Sequence, residues 1–123
     1  MATPELTINF NLTYLDADGV NAVVELVDAL QTVTTQRPHL FTQAITTSEV
    51  ALNLGPLASL GWAGFVNLDP TNFIELRVGT GSTKFAKLWP GKGALFYFGS
   101  GITAPYAIAD TATCKLFGLI CAP

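Results

Sequence analysis

Histidine chemistry has little support in this sequence, which contains a single histidine, His39. A nucleophilic triad needs a base beside a nucleophile and an orienting acid, yet His39 follows Pro38 with no serine or acid in a recognisable local motif. The segment 99–101 (GSG) lacks the G-x-S-x-G spacing of a nucleophile elbow. Zinc requires three or four converging His, Cys or carboxylate ligands. We therefore interpret His39 as a structural or surface residue and predict neither a triad nor a zinc site.

Two glycine-containing segments have partial likeness to ion-binding loops. Residues 16–19 (DADG) place two carboxylates in a turn, but the further acid and the bidentate Glu of a full calcium loop are not in position. Residues 79–84 (GTGSTK) lack the Gly-Lys-Ser/Thr order of a phosphate loop, and no helix is predicted to follow. Asp69 and Asp110, a conceivable glycosidase pair, lie in turn-like contexts that already explain them. The sequence predicts no catalytic residue, no metal site and no cofactor.

The only two cysteines, Cys114 and Cys121, lie in one predicted strand. At about 3.3 Å per residue their Cα atoms would be roughly 23 Å apart on opposite faces, which is beyond disulfide reach. We predict that both are reduced and act as small apolar residues.

The composition describes an ordered chain with a weakly charged surface. Of the 123 residues, 50% are hydrophobic and 12% are charged, about half of the usual charged share near 25%. A surface built largely from Thr, Asn, Ser and Gly is poorly protected against association. We therefore predict a homo-oligomer or a component of a larger assembly.

The charge and the hydropathy pattern also argue against two classes of partner. The net charge of −3 predicts against nucleic acid, because phosphate binding needs concentrated positive charge. Lys84, Lys87 and Lys92 form a small basic corner that we interpret as solvated strand ends. The uncharged stretch 50–68 contains two Asn, three Gly and one Pro, so we predict no membrane span, and residues 1–10 lack the basic start of an export signal.

The elements that would position these residues are predicted to be short strands. Residues 6–14 alternate apolar with polar, the turn 16–19 follows, and apolar residues alternate again from 20, so the first third opens as a hairpin. One short helix over 21–31 is the alternative, and 48–52 could form one helical turn. Further strands are predicted at 41–45, 62–68, 73–78, 83–89, 94–98 and 113–120. This spacing indicates one all-β domain over 1–123, an antiparallel β-sandwich or a jelly-roll-like barrel.

The turn 69–72 (DPTN) separates two strongly apolar runs, 62–68 and 73–78. Asp in the first turn position and Pro in the second suit a type I turn. We therefore predict that these two runs pair as a central hairpin.

Aromatic residues are in excess between 62 and 98. Most must fill the core, but the strands 62–68 and 94–98 are apolar on both alternating faces, and a two-layer domain has only one inner face per sheet. The remainder is predicted to lie at a subunit interface. The candidate interface residues are Trp62, Phe65, Phe73, Trp89, Phe96 and Phe98.

Five segments together resemble small virion proteins of tailed bacteriophages. They are TSEVALNL at 47–54, GW at 61–62, NLD-x-TNFIEL at 67–76, L-x-PG at 88–91 and PYA-x-AD at 105–110, within a match over about 41–120. Proteins of this kind are called structural, so the resemblance implies a virion component made in the host cytoplasm and supplies no active site.

The leading hypothesis is a capsid decoration or cement protein, a homotrimer that binds the major capsid protein. A tail or head-to-tail component is the alternative within the same class. A carbohydrate-binding or adhesin-like module, using Trp62 or Trp89 as a stacking platform, is the alternative of another class, and an enzyme ranks third.

Overall fold

Regular structure in this chain is β-strand throughout the residues that the structure, a computed structural model, describes: 5–15, 17, 19, 21–32, 38–81, 83–99 and 102–123. This confirms the all-β prediction. The chain divides into two compact units, Met1–Thr34 and Thr35–Pro123. The single domain over 1–123 stays a prediction.

The first unit is an antiparallel hairpin of β1 (Glu5–Leu15) and β2 (Asn21–Thr32). Its ladder runs from Glu5 opposite Thr32 to Leu15 opposite Asn21, with a register irregularity between Ile8 and Phe10. The predicted hairpin is therefore confirmed and the alternative helix over 21–31 is wrong. Strand β1 pairs with β2 along its length, so its alternating apolar residues have cross-strand partners. The β-branched residues of β2 favour the extended conformation over a helix.

The described residues of the second unit form eight strands. They are β3 (His39–Ile45), β4 (Val50–Ala51), β5 (Trp62–Asn67), β6 (Ile74–Arg77), β7 (Lys84–Leu88), β8 (Gly93–Tyr97), β9 (Tyr106–Ala109) and β10 (Cys114–Ile120). Two of them differ from the sequence prediction. The expected helical turn at 48–52 is instead the short strand β4, which pairs with β9, and β9 was not predicted.

The eight strands pair in nested order, β3 with β10, β4 with β9, β5 with β8 and β6 with β7, all antiparallel. Two further pairings, β10 with β5 and β6 with β9, close the arrangement into two sheets. Sheet 1 has the order β3-β10-β5-β8, and sheet 2 has the order β4-β9-β6-β7. Nested pairing folded over into two four-stranded sheets is the jelly-roll form of the β-sandwich.

The core of this unit is formed by the inward-facing residues of both sheets. Alternation is complete in β10, where Cys114, Leu116, Gly118 and Ile120 are buried and the three residues between them are exposed. Sheet 2 contributes Ile74, Leu76 and Ala107, none of which has measurable exposure. Four aromatic rings meet between the sheets with centroid distances of 5.4 to 6.5 Å: Phe65, Phe85, Phe96 and Phe98.

The segment 69–72 is a turn, but the predicted central hairpin is wrong. β5 lies in sheet 1 and β6 lies in sheet 2, so the turn carries the chain from one sheet to the other. The Asp69 carboxylate accepts hydrogen bonds from the backbone N–H of Asn72 at 2.7 Å and of Thr71 at 2.8 Å. Local chemistry therefore forms the turn as predicted, whereas the choice of strand partner is made by long-range packing.

Replacing Asp69 with Asn should leave stability at neutral pH nearly unchanged, because an amide oxygen can accept the same two backbone hydrogen bonds. The bonds from Asn72 and Thr71 lower the pKa of the Asp69 carboxyl. A lowered folded-state pKa gives stability that is present above the unfolded value, about 3.9, and lost as pH falls through the folded value. The wild type should thus lose more stability between pH 5 and 2 than Asp69→Asn, as measured by urea midpoints across that range. A large loss at pH 7 in Asp69→Asn would contradict the turn-forming role.

Candidate functional site

The outer faces of the two sheets differ in polarity. The outer face of sheet 2 carries charged residues, as expected of a surface in water. Its strands β6 and β7 expose charged residues that pair with one another. Arg77 Nη1 lies 2.8 Å from Glu49 Oε2, Arg77 Nη2 lies 3.4 Å from Glu75 Oε2, and Lys84 Nζ lies 3.6 Å from Glu75 Oε1. Ion pairs near the surface, here with side chains 16 to 58% exposed, keep a sheet face soluble and add little to stability.

Sheet 1 presents an apolar outer face in place of this charge. Lys115 is the only Lys, Arg, Asp or Glu in its four strands, all of which the structure describes. Six large apolar side chains of these strands are 37 to 62% exposed: Leu40, Val66, Leu95, Tyr97, Phe117 and Leu119. We call this surface the outer apolar face.

The strand register makes these residues contiguous. Leu119 is directly opposite Leu40 on β3 and Gly64 on β5, and Gly64 is opposite Leu95 on β8. One row of the face therefore runs across all four strands. Because residues directly opposite each other point to the same side of a sheet, this row forms one continuous surface.

A second row and an aromatic corner extend the face. Phe117 is opposite both Thr42 and Val66, and Val66 is opposite Gly93. At one end of β5 the half-buried Trp62 packs edge to face on Tyr97, with ring centroids 5.4 Å apart. Gly64 adds no side chain to this part of the face, so the surface beside Leu95 is open to close approach.

The predicted interface residues are divided among three places. Trp62 lies on the outer apolar face. Phe65 and Phe98 are 2% and 7% exposed in the core, which corrects their assignment to an interface, since a ring packed between the sheets cannot reach a partner. Phe96 is half-buried and stacks on Phe98 at 6.2 Å, so it belongs with the core rings. Trp89 and Phe73 form a separate cluster.

The residues of the outer apolar face that sequence reasoning missed had a readable signal. Strand β10 alternates Leu116, Gly118 and Ile120 with Lys115, Phe117 and Leu119, so both of its alternating faces are rich in apolar residues. The same double pattern in 62–68 and 94–98 was read as an interface signal. Extending it to 113–120 and to Leu40 would have found the face.

Trp89 is 56% exposed, compared with 51% for Tyr97 and 42% for Phe10. Its ring meets the Phe73 ring at 5.6 Å and an angle of 62°. Lys87 Nζ lies 4.1 Å from the Phe73 centroid and 5.0 Å from the Trp89 centroid, within cation–π range. Two lysines of the predicted basic corner therefore already have partners: Lys87 lies over these rings, and Lys84 pairs with Glu75.

The residues whose side chains could do chemistry are far apart in the fold or already in contact with other groups. The His39 ring stacks on Phe41 at 5.4 Å, and its Nε2 is buried without a hydrogen-bond partner in the part of the chain that the structure describes. Cys114 and Cys121 are free, as predicted, but they do not share one strand, because β10 ends at Ile120, and both are buried. Burial raises the pKa of both thiols, which disfavours the reactive thiolate.

Groups of three or more His, Cys, Asp or Glu side chains that could hold a metal do not occur among the described residues. Residues 16, 18, 82, 100 and 101, which belong to the three loop segments considered above, lie outside the described residues. The absence of enzymatic activity stays a prediction.

Comparisons with other proteins add no identification. The described residues contain no helix long and apolar enough to cross a membrane. Comparisons with protein-family models, with curated proteins and with solved structures found no match. The outer apolar face is accordingly the feature on which a functional proposal has to be built.

Proposed function

We propose that this protein is a structural component of a phage virion, a capsid decoration or cement protein that associates with itself and with the major capsid protein. The observation that carries the proposal is the outer apolar face of sheet 1, set against the charged outer face of sheet 2. The inner faces of the two sheets supply the core of a jelly roll, so the second apolar face of sheet 1 is available to a partner.

The free energy expected from burying the outer apolar face suits a protein that acts in many copies. If a partner covered about 400 Å² of this face, the burial would contribute about 10 kcal/mol at ~25 cal/mol per Å². Association itself costs about 4 to 15 kcal/mol in lost freedom and ordering. A single contact of this kind is therefore of modest net strength, and many copies on one shell would gain stability by avidity.

The fold and the sequence motifs support the same context from two sides. Jelly rolls are found in viral capsid and lectin domains, so the fold agrees with a virion role without establishing it. The resemblance of about residues 41–120 to small virion proteins selects the phage context among the uses of this fold. A tail or head-to-tail component remains the alternative position within the virion.

The proposal predicts that Phe117→Lys dissociates the protein without unfolding it. Phe117 is 39% exposed in the centre of the outer apolar face, so a lysine there is solvated in the monomer and unpaired in an interface. Sedimentation should give a trimer for the wild type at micromolar concentration and a monomer for the variant. The matched control is Ile108→Lys, on the outer face of sheet 2 opposite Glu75, which should sediment as the wild type does.

Cryo-electron microscopy of virions then locates the protein. Wild-type particles should show density on the outside of the head that particles made with Phe117→Lys lack. Density at the tail would favour the alternative position. A monomeric wild type with no density on the virion would contradict the proposal.

Trp89 favours a second candidate, a carbohydrate-binding or adhesin-like module. An exposed indole held at a fixed angle by Phe73 is a suitable platform for the apolar face of a sugar ring. This candidate predicts quenching or enhancement of Trp fluorescence by oligosaccharides that Trp89→Ala abolishes and Trp62→Phe retains.

A further inference from the structure

We propose that the outer apolar face of one copy is covered by the β1–β2 hairpin of a second copy. This inference rests on the proposed self-association and identifies the segment that performs it. Hairpin and face would then form a head-to-tail contact in which every copy contributes a hairpin to one neighbour and receives one from another.

The hairpin has one apolar side and one mainly polar side, on which Val23 opposite Thr13 is the large apolar exception at 52% exposure. Phe10 opposite Leu26 and Leu12 opposite Val24 lie on the same side, and their side chains are 40 to 62% exposed. Because β-strand side chains alternate, Asn11 lies on the other side together with its cross-strand partner.

The polar side of the hairpin is bonded within itself. Asn11 Nδ2 donates to Glu25 Oε2 at 3.2 Å, and Thr13 Oγ1 donates to Asn11 Oδ1 at 2.6 Å. The four large side chains of the apolar side keep 40 to 62% of their surface exposed. An isolated two-stranded hairpin is marginally stable in water, and packing of its apolar side on another layer is the usual remedy.

Charge selects the occupant. Residues 5–32 contain five acids and no base, a charge of −5, whereas residues 33–123 contain six bases and four acids, a charge of +2; together they give the net −3 of the chain. Two hairpins packed on each other would bring like charges together. The outer apolar face carries a single charge, that of Lys115, and it is positive, so it attracts an acidic hairpin from a distance and accepts its apolar side on contact.

The geometry of sheet 1 suits such a layer. Aligned sheets pack about 10 Å apart through interdigitating side chains. On sheet 1, Gly64 of β5 is opposite Leu95 of β8, and the nearest atom to a Cβ added at Gly64 is Leu95 Cδ1 at 3.9 Å, which leaves a shallow gap beside Leu95. The apolar side of a hairpin, with residues such as Leu12 spaced by about 6.8 Å along a strand, can fill gaps of this kind.

Mixing two variants tests the proposal. Leu12→Thr combined with Val24→Thr changes the β1–β2 hairpin, which we call the arm in this experiment. In this arm variant threonine, a β-branched residue, favours the strand but removes the apolar side. Phe117→Lys is the face variant. Each alone should have a dissociation constant raised about 100-fold, as expected for losing central interface residues. An equimolar mixture should form heterodimers, because the intact arm of the face variant meets the intact face of the arm variant.

The outcomes separate this inference from the proposed function. If the face variant is monomeric and the arm variant is still trimeric, the face meets something other than a hairpin, and the inference falls while self-association stands. If both variants are monomeric and their mixture is too, the contact is not hairpin on face, and the inference falls as well. If neither variant changes the mass, both proposals fail.

A charge variant that leaves the apolar contacts in place provides a second test. Lys115→Glu should raise the dissociation constant by about 3- to 10-fold at low salt, and the effect should shrink as salt is raised. The control Lys87→Glu reverses a charge on sheet 2 and should change association less. Equal effects of the two variants would overturn the assignment of the acidic hairpin to the Lys115 side of the sandwich.

Discussion

Replacing Asn67 with Leu should lower the free energy of unfolding by about 3 to 5 kcal/mol. Asn67 has no measurable exposure and is the one buried polar side chain of the described residues. Its Nδ2 donates to Asn72 O at 2.8 Å and to Leu88 O at 3.0 Å, and its Oδ1 accepts from Asp69 N at 2.9 Å. Leucine has the same number of side-chain heavy atoms but makes none of these bonds, so the cost comes from three backbone groups that lose their partner: about 1 kcal/mol for each of the two part-buried groups, Asp69 N and Asn72 O, and about 1 to 3 kcal/mol for the buried Leu88 O.

The three bonds of Asn67 hold the two sheets at their common end. Asn67 ends β5 of sheet 1, and Leu88 ends β7 of sheet 2, so one side chain joins the margins of both sheets and the 69–72 turn between them. Urea denaturation followed by Trp fluorescence measures the loss. Asn72→Leu is the matched control, because within the described part of the chain the Asn72 side chain bonds Thr71 and Thr111 near the surface, and it should cost less than about 1 kcal/mol. Equal losses in the two variants would contradict the argument.

Most strands could be predicted from the sequence because apolar alternation is a local signal. The hairpin β1–β2 and the strands β3, β7, β8 and β10 follow directly from period-2 patterns bounded by Gly, Pro and acidic turns. Strand β9 was missed since its four residues include two alanines, which give little hydrophobic contrast, and it exists because β4 and β6 flank it. Such tertiary pairing is not visible in a short window of sequence.

The error at the turn 69–72 has a similar cause. The Asx-type hydrogen bonding of Asp69 and the rigidity of Pro70 are encoded locally. The predicted turn and the predicted hairpin both depend on those two residues alone. Whether the following strand pairs with β5 or crosses to the other sheet is decided by long-range contacts, among them the hydrogen bond from Asn67 Nδ2 to Leu88 O of sheet 2 at the end of β5. A buried asparagine in an apolar run was the available sign that a strand ends there and that the chain changes sheets.

The outer apolar face could be predicted only in part, because in its strands the residues at both sets of alternating positions are apolar. In 62–68 both alternating sets are apolar, so the sequence shows that one set must face outward but not which one. The structure places Phe65 inward and Val66 outward, because Phe65 fits among the core rings whereas the smaller Val66 continues the row of Phe117. A candidate list made only of aromatic residues therefore includes rings that fill the core, such as Phe65 and Phe98.

Two glycines in the central strands of sheet 1 should respond to alanine with opposite signs. Gly118 faces the core, where an added Cβ would lie 2.6 Å from Phe41 Cζ and 3.0 Å from Phe65 Cδ1. Gly64 faces outward on the neighbouring strand, where the nearest atom to an added Cβ is Leu95 Cδ1 at 3.9 Å, an ordinary contact. We expect Gly118→Ala to cost about 1 to 3 kcal/mol by overpacking and Gly64→Ala to gain up to about 1 kcal/mol, because alanine restricts the unfolded chain.

The sign difference tests which side of sheet 1 is packed. Both residues lie in β-strands without a left-handed backbone, so the intrinsic preference for alanine over glycine is the same for both, and only the surroundings differ. Urea denaturation at a concentration where the protein is monomeric isolates folding from association. A stabilising Gly118→Ala would mean that Phe41 and Phe65 can move apart freely. A destabilising Gly64→Ala would mean that the outer apolar face is already covered in the monomer, which removes the basis for assigning that face to a partner.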